Sequence, residues 1–589
     1  MPRRREALGF LALTVLTFAV TSSGLGNGFL NWDDIFLLHM NLPVRSFDIP
    51  AILGQKTLGI YHPVTLLSVA VEHRFFGLDP RVYHLTNSVL HVLATLLVAV
   101  FLRSALRDAS FVPFAVAALF GVHPLHVESA AWVAERKDLL STVFILLTLL
   151  AYLRYADSGR RRDFASALGL FTLALLSKPM AVTIPVLMLA LDHWRGRKAP
   201  LRLVLEKLPF FALAGVASWI SLTTQAPALG EAYVVYEFSI LQRIGLGTSA
   251  LAFYIAKTIL PLGLSAYYDI DLVRVAFYQW ATAGFVLSLG VIASLRNPGK
   301  GNDARLAMLF FLVSIAPVLK VVPFGGNSIF NDRYMYFPSV GLLLLLVLPL
   351  RSLATWPAPR RRVAIALGSV IVAVLSIQSF ERARVWRDSE TFWNDVLAKY
   401  PDTAIALSQL GRFRLDERND AAGAAALFER AVRARPEWSL AHFNLGLARA
   451  RLGEAEDAAA SFRRALERNA YHPEMRFAVG SFHLAQGNPR DAAEHFEATL
   501  VLAPRMAAAE HHLGLAQLAL GDTAAAKRSL ERAIALEPEH APAIVSLADV
   551  HYEGGNAVEA LPLYERAAAL GASVDRARID QLRAEVADF

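Results

Sequence analysis

The sequence predicts an all-α protein in two parts, a polytopic helical membrane bundle followed by an α-solenoid. Three observations carry the prediction. Apolar runs separated by short basic bursts crowd the first two-thirds of the 589 residues. Long apolar runs stop near Phe380, where Ala, Glu, Arg and Gly take over. Beyond that point Gly446, Gly480 and Gly514 lie 34 residues apart, with Ala548 in phase. Composition agrees: 55% of residues are hydrophobic and 19% charged, against roughly 45–50% and 25% in soluble domains. Disorder is excluded for the bulk of the chain. Cysteine is absent, which excludes a disulfide framework, thiol nucleophiles, zinc–thiolate sites and iron–sulfur clusters.

The apolar runs are, in order, 7–23, 85–102, 111–122, 139–153, 164–176, 180–191, 208–222, 275–295, 306–319, 338–350 and 362–379. Several are shorter than the roughly 20 residues of a spanning helix. Their ends therefore extend into neighbouring segments, or they sit inside the bundle. The first run follows Met1-Pro2-Arg3-Arg4-Arg5 and reads as a retained anchor helix, since no small-residue cleavage site followed by a soluble domain appears. The net charge of +7 does not point to nucleic acid, because many of the Lys and Arg residues lie in bursts between apolar runs. Arg3 to Arg5, Arg103 with Arg107, Arg160 to Arg162, Arg195 to Lys198, Arg296 with Lys300 and Arg360 to Arg362 are expected on the cytoplasmic side. That places 24–84, 123–138, the turn at Ser177-Lys178-Pro179, 320–337 and everything after about 380 on the far side. A crossing by 241–264 breaks this parity, so a re-entrant or interfacial helix is expected there.

The second part repeats. Gly453, Gly487, Gly521 and Gly555 form a second 34-residue series, Phe462, Phe496 and Tyr564 hold an aromatic position with Leu530 between them, and Pro504 and Pro538 close two repeats. An earlier copy at 402–436 shows Gly411, Phe428 and Pro436 with one extra residue. A small residue in the first series lets paired helices approach, and glycine in the second supplies the turn between them. Each pair buries its apolar face only against neighbours, so the array stacks. The period is the tetratricopeptide one. The expected organisation is a membrane domain at 1–380, a linker and first helix at 381–401, five tetratricopeptide repeats at 402–572 and a capping helix at 573–589.

Four polar clusters fall on the far side. Asn31-Trp32-Asp33-Asp34 lies just past the first helix; paired loop acids are common on their own, and the neighbouring clusters give them weight. His123, His126 and Glu128, then Trp132, Glu135, Arg136, Lys137 and Asp138, divide two apolar runs. Pro124 interrupts regular helix there and the spacing fits no standard zinc motif, so a divalent metal is not expected. Glu135 to Asp138 also fits a solvated helix end. Lys178 breaks an apolar stretch, where a cation is costly unless it reaches the interface or an anion. Asp332, Arg333 and Tyr334 precede another apolar run and fit an interfacial belt as well as a site. His62, His73, His84 and His91 flank or enter the second helix, with His84 and His91 on one face.

These stretches resemble a known family. Tyr61-His62-Pro63, Asn87-Ser88-Val89-Leu90-His91, the run from His123 to Asp138, Lys178-Pro179-Met180 with Val182-Thr183 and Asp192, and Asp332-Arg333-Tyr334-Met335-Tyr336 are similar to the transmembrane-and-tetratricopeptide-repeat proteins, whose animal members are protein O-mannosyltransferases of the GT-C fold. Pro179-Met180 replaces the Glu usual in animal members, as in the bacterial branch. The resemblance implies a GT-C glycosyltransferase that uses a polyprenyl-phosphate sugar and carries its acidic motif in the first external loop, here Asp33-Asp34.

The residues suit that chemistry. A hydroxyl acceptor needs its proton removed as it attacks the anomeric carbon, which a carboxylate does within hydrogen-bond reach. A departing phosphate needs cations. Asp33 or Asp34 is thus the expected base. Arg136, Lys137, Lys178 and Arg333 are the expected phosphate ligands. His62, His123, His126, Glu128, Glu135, Asp138, Asp332 and Tyr334 are the expected substrate-binding or orienting groups. Expected partners are membrane lipid, the lipid-linked sugar and an acceptor polypeptide held by the solenoid. Two other readings compete: a non-catalytic membrane scaffold for envelope proteins, and a transporter of lipid-linked sugars. The transporter reading calls for mid-bilayer charges and internal duplication, and neither is clear in the sequence.

Overall fold

The computed structural model describes residues 2–108, 110–198, 200–228, 239–269, 284, 302–319, 321 and 330–587. Every regular element among these residues is a helix, with one isolated β-bridge between Thr57 and Ile60 and no strand among them. The chain divides into two compact units, 1–413 and 414–589.

Among the described residues of the first unit, five helical segments are long and apolar enough to cross a membrane: Glu6–Gly24, Pro80–Leu106, Val133–Ser158, Leu201–Thr224 and Ala358–Arg384. Val112–Val122 and Pro124–Ala131 make a sixth only if taken together, bent by 56°. The bend falls at His123-Pro124, where Pro124 supplies no N–H to continue the ladder. The eleven apolar runs therefore do not translate into eleven full-length spans among the described residues. Runs 164–176, 180–191, 306–319 and 338–350 fold as the shorter helices Arg161–Ser177, Ile184–Trp194, Asn302–Ile315 and Ser339–Val347. Run 275–295 lies outside the described residues except Gly284.

Burial ranks these helices. The Val133–Ser158 window is 72% buried and that of Ala358–Arg384 only 11%. The former is the centre of the bundle, packed on Pro80–Leu106 and Arg161–Ser177. The latter turns Val363, Ile365, Leu367, Val370, Ile371, Val374 and Ile377 outward, as a lipid-facing helix does. Ile240–Ile259 begins in a Ser239/Gln242 capping box, an arrangement that satisfies its first amide groups. Leu246, Ala250, Leu251 and Tyr254 are its buried face, while Ile240, Leu241 and Ile244 are exposed.

The second unit is an array of antiparallel helix pairs: Ser439–Leu452 with Ala455–Arg468, Pro473–Ala485 with Pro489–Leu502, Ala507–Ala519 with Thr523–Leu536, and Ala541–Glu553 with Ala557–Ala569. Ala421–Ala434 precedes them and Arg576–Ala587 follows, burying Ile579 and Leu582. Both glycine series have the geometry their spacing implies. A Cβ on Gly446, Gly480 or Gly514 would stand 2.6, 2.9 and 2.9 Å from the side chains of Phe462, Phe496 and Leu530, so the bulky series packs directly onto the small one. Gly453, Gly487, Gly521 and Gly555 have φ between +74° and +85°, the left-handed region glycine enters without cost.

Candidate functional site

The site grows from the short stretch that ends the bent helix pair. Trp132 breaks the helix with extended backbone, Val133–Glu135 make one tight turn, and the long central helix starts at Arg136. That turn presents Glu135 and Lys137 together at a helix end, with Asp138 one residue on. Glu135 is the hub. Lys137 Nζ lies 2.9 Å and Arg333 Nε 3.3 Å from its Oε1, and Lys178 Nζ lies 3.6 Å from its Oε2. Lys178 also pairs with Asp138, and Arg333 with Glu128, whose other oxygen accepts from the Arg333 backbone N–H at 3.1 Å. Three cations from three separate segments thus meet three carboxylates. Arg333 is the most open of the three cations, its side chain 16% exposed against 7% for Lys137 and 9% for Lys178. Its guanidinium also lies over Trp132 at 5.6 Å and Tyr334 at 5.4 Å, where the ring faces attract a cation.

The two loop acids separate. Asp34 is buried, and its carboxylate accepts from the N–H of Leu30 and of Ala134, both at 2.9 Å. It staples the first loop to the 132–135 turn. Asp33 is half-buried and makes no hydrogen bond to any described residue; its charged surroundings are Lys137, Glu135 and Arg333. Burial raises its carboxyl above the ordinary aspartate value, and Lys137 and Arg333 counter part of that rise. Burial also pushes Asp34 up to about 7, against the two backbone bonds. The structure therefore leaves one carboxylate of the pair uncommitted, beside the cation cluster.

His62 is 3% exposed and, among the described residues, neither ring nitrogen has a hydrogen-bond partner. It stands in the field of Lys137, Glu135 and Lys178, and burial with those cations lowers it to about 3, so it is neutral. Asp332 is buried and accepts from Tyr268 Oη at 2.6 Å; burial and Glu128 push it up to about 7. A small cavity of about 20 Å³ lies between Lys178 and Arg333, walled on its apolar side by Ile145, Met180, Phe337 and Pro338.

Three expected site residues are committed elsewhere. Arg136 is fully buried, with Nε donating to Asn87 Oδ1 at 2.8 Å, one terminal nitrogen to Glu72 Oε2 at 2.5 Å and the other to the Tyr83 carbonyl at 2.9 Å. It bolts the central helix to its neighbours and has no nitrogen without a protein acceptor for a phosphate. His123 Nε2–H donates to the Thr258 carbonyl at 3.0 Å while Nδ1 accepts from the Leu125 N–H at 3.2 Å. His126 places Nδ1 2.7 Å from the Phe120 carbonyl and Nε2 2.9 Å from Ser339 Oγ. Both imidazoles lock the bend between the paired helices. The sequence reading overlooked Glu72 as the partner of Arg136; a lone acid inside the apolar 63–76 stretch was the available signal.

Comparison with known proteins finds relatives in the family that the sequence resembles. The chain is 24% identical over 429 residues to human protein O-mannosyl-transferase TMTC4, covering 62% of this chain and 56% of that protein. It is 22% identical over 447 residues to human TMTC1, covering 67% and 50%. It is 30% identical over 189 residues to Drosophila melanogaster Tmtc1, covering 30% and 22%. This chain is a homologue of the transmembrane and tetratricopeptide-repeat proteins. The matches span between about a fifth and just over half the length of these relatives. A tetratricopeptide repeat family model matches residues 376–437, 414–473, 443–510, 480–520 and 511–575. Among solved structures, YrrB, described as a TPR protein with an unusual peptide-binding site, is 15% identical with a TM-score of 0.28, covering 32% of this chain and 97% of that one.

Proposed function

We propose that this chain is a GT-C type membrane glycosyltransferase that moves a hexose, mannose by preference, from a polyprenyl-phosphate donor to a hydroxyl acceptor. The acceptor is Ser or Thr of external proteins, and the reaction runs on the non-cytoplasmic face of a bacterial inner membrane. The observation that carries this reading is the uncommitted Asp33 carboxylate beside the Lys137–Glu135–Arg333 cluster. The names of the relatives, protein O-mannosyl-transferases, support the reaction class.

In this reading Asp33 takes the proton from the acceptor hydroxyl as its oxygen bonds to the anomeric carbon. The bond from that carbon to the phosphate oxygen breaks, with inversion, and the polyprenyl phosphate leaves with the electron pair. Arg333 meets the leaving phosphate first, being the most open cation, through Nη2, the guanidinium nitrogen outside its pairs with Glu128 and Glu135; Lys178 and Lys137 complete the charge. Glu128, Glu135 and Asp138 hold the cations in place, Asp332 accepts from Tyr268 beside them, and the Tyr334 ring lies against the Arg333 guanidinium. Neutral His62, which offers one donor and one acceptor, binds a sugar hydroxyl. The lipid chain follows the apolar wall beside Met180 and Phe337, and the helical repeats bring the acceptor polypeptide to the site.

The test is Asp33→Asn in cells, with mass spectrometry of envelope proteins for added hexose. Loss of the modification is expected, with a fall in rate on the order of 10²–10⁴-fold in a purified assay. Hexose addition at the parental level in this variant removes Asp33 as the base.

A further inference from the structure

Directly after the last membrane-length helix comes the stretch expected as a linker and first helix at 381–401, and its helix is Ser389–Lys399. Residues 385–409 pack onto the first loop. Trp386 and Trp393 are 1% and 0% exposed. The Arg387 carbonyl accepts from the Gly28 N–H at 2.8 Å, and the nearby Ala383 carbonyl accepts from Asn27 Nδ2 at 3.0 Å. Asn31 is held at every polar group of its side chain and at its amide. Its N–H donates to Ser389 Oγ at 2.9 Å, Nδ2 donates to the Gln409 carbonyl at 2.8 Å, and Oδ1 accepts from Trp393 Nε1 at 2.8 Å. Trp32 stacks on Trp132 at 4.9 Å and is boxed by Trp393 at 5.1 Å and Phe392 at 5.5 Å.

Asp33 follows Asn31 and Trp32, and precedes Asp34, which the Ala134 N–H fixes from the opposite side. We infer that residues 385–409 are part of the transferase site, and that Asn31, Ser389 and Trp393 are positioning residues that set where the Asp33 carboxylate stands. This rests on the reading of Asp33 as the base. The ion pairs of the cations, to Glu128, Glu135 and Asp138, do not pass through Asn31, Ser389 or Trp393, and the clamp meets the cluster where Trp32 stacks on Trp132, so removing a hydrogen bond of Asn31 displaces the base and leaves the donor phosphate site paired.

The experiment uses the full chain in lipid nanodiscs, with a short-chain polyprenyl-phosphate mannose as donor and a Ser/Thr peptide as acceptor. The variants are Trp393→Phe, which keeps an aromatic ring, smaller than the indole, and removes the N–H, Ser389→Ala, and Ser389→Thr, which restores a hydroxyl. Arg384→Ala, which removes an exposed ion pair with Glu381, is the control. Hydrogen exchange of the 28–36 backbone is measured alongside transfer. Faster exchange there is expected for Trp393→Phe and Ser389→Ala, with kcat lowered on the order of 10–100-fold for a displacement near 1 Å, donor KM unchanged, and both effects reversed in Ser389→Thr. Unchanged exchange in Trp393→Phe and Ser389→Ala overturns the clamp; faster exchange with unchanged kcat overturns its positioning role. A parental chain that transfers nothing from this donor defeats the mannosyltransferase reading by itself, and the exchange data still decide whether 385–409 holds the loop.

Discussion

Adjacent aspartates end in different chemistry because one meets backbone donors and the other does not. Asp34 accepts from Leu30 and Ala134, so Asp34→Asn places an amide NH2 against a backbone N–H and loosens the loop, whereas Asp33→Asn changes only a group open to substrate. On the proposed function both variants are expected to lower transfer, but only Asp34→Asn to increase hydrogen exchange across 28–36. The raised pKa of Asp33, caused first by burial and opposed by Lys137, also sets a pH dependence. As the proposed base, Asp33 acts only when ionised, so kcat/KM is expected to fall as pH drops through a value above the ordinary aspartate one. In Lys137→Gln, with an opposing cation gone, that acidic limb moves to higher pH. A limb that stays put in a pH–rate profile separates Asp33 from the titrating base. Arg136 yields a stability prediction instead. Removing Glu72, its 2.5 Å partner, leaves a fully buried guanidinium without its counter-charge; Glu72→Ala is expected to cost about 3–5 kcal/mol, read as a lowered unfolding midpoint of the purified protein.

At the scale of single elements, the repeats and the broken helix show how local rules reach their limit. The helix pairs of the second unit were legible because their period repeats one local solution. Gly480 is small because the Phe496 ring stands 2.9 Å from where its Cβ would be; Gly480→Val is expected to cost about 1–3 kcal/mol from overpacking, measured by thermal unfolding followed by circular dichroism. The turn before Ala421–Ala434 holds a residue the glycine pattern hides. Asn419 lies 34 residues before Gly453 and has φ of +52°, so it serves as the turn residue of an earlier copy. Asparagine tolerates that region better than other residues with a Cβ. Asn419→Ala is therefore expected to destabilise by about 1–2 kcal/mol and Asn419→Gly not to, in the same experiment. The bent pair at 112–131 was legible as an interruption at Pro124. The histidines beside it were not legible as locks, because the Thr258 and Ser339 groups they meet lie 135 and 213 residues away.

Across the whole first unit, the organising fact is charge meeting charge at helix ends. Glu128, Glu135 and Asp138 stand opposite Lys137, Lys178 and Arg333, which leaves Asp33 as an acid beside a balanced cluster. On the reading proposed above, this face is external, and a reporter fused after Phe589 is expected to be active only outside the cytoplasm; cytoplasmic activity would separate the repeats from the site and end that part of the proposal.

The amino-acid sequence by itself determined the two-part all-α plan, the helix-pair repeat and the set of polar stretches from which the candidate site is made. These follow from composition, spacing and turn residues, which act over a few neighbours. Only the tertiary structure decided which members of those stretches are uncommitted. Arg136 found Glu72, Arg333 found Glu128 across 205 residues, and Asn31 found Trp393 across 362. A buried polar group takes whatever partner the packing brings within reach, and that choice is made by helices meeting in space rather than by positions along the chain.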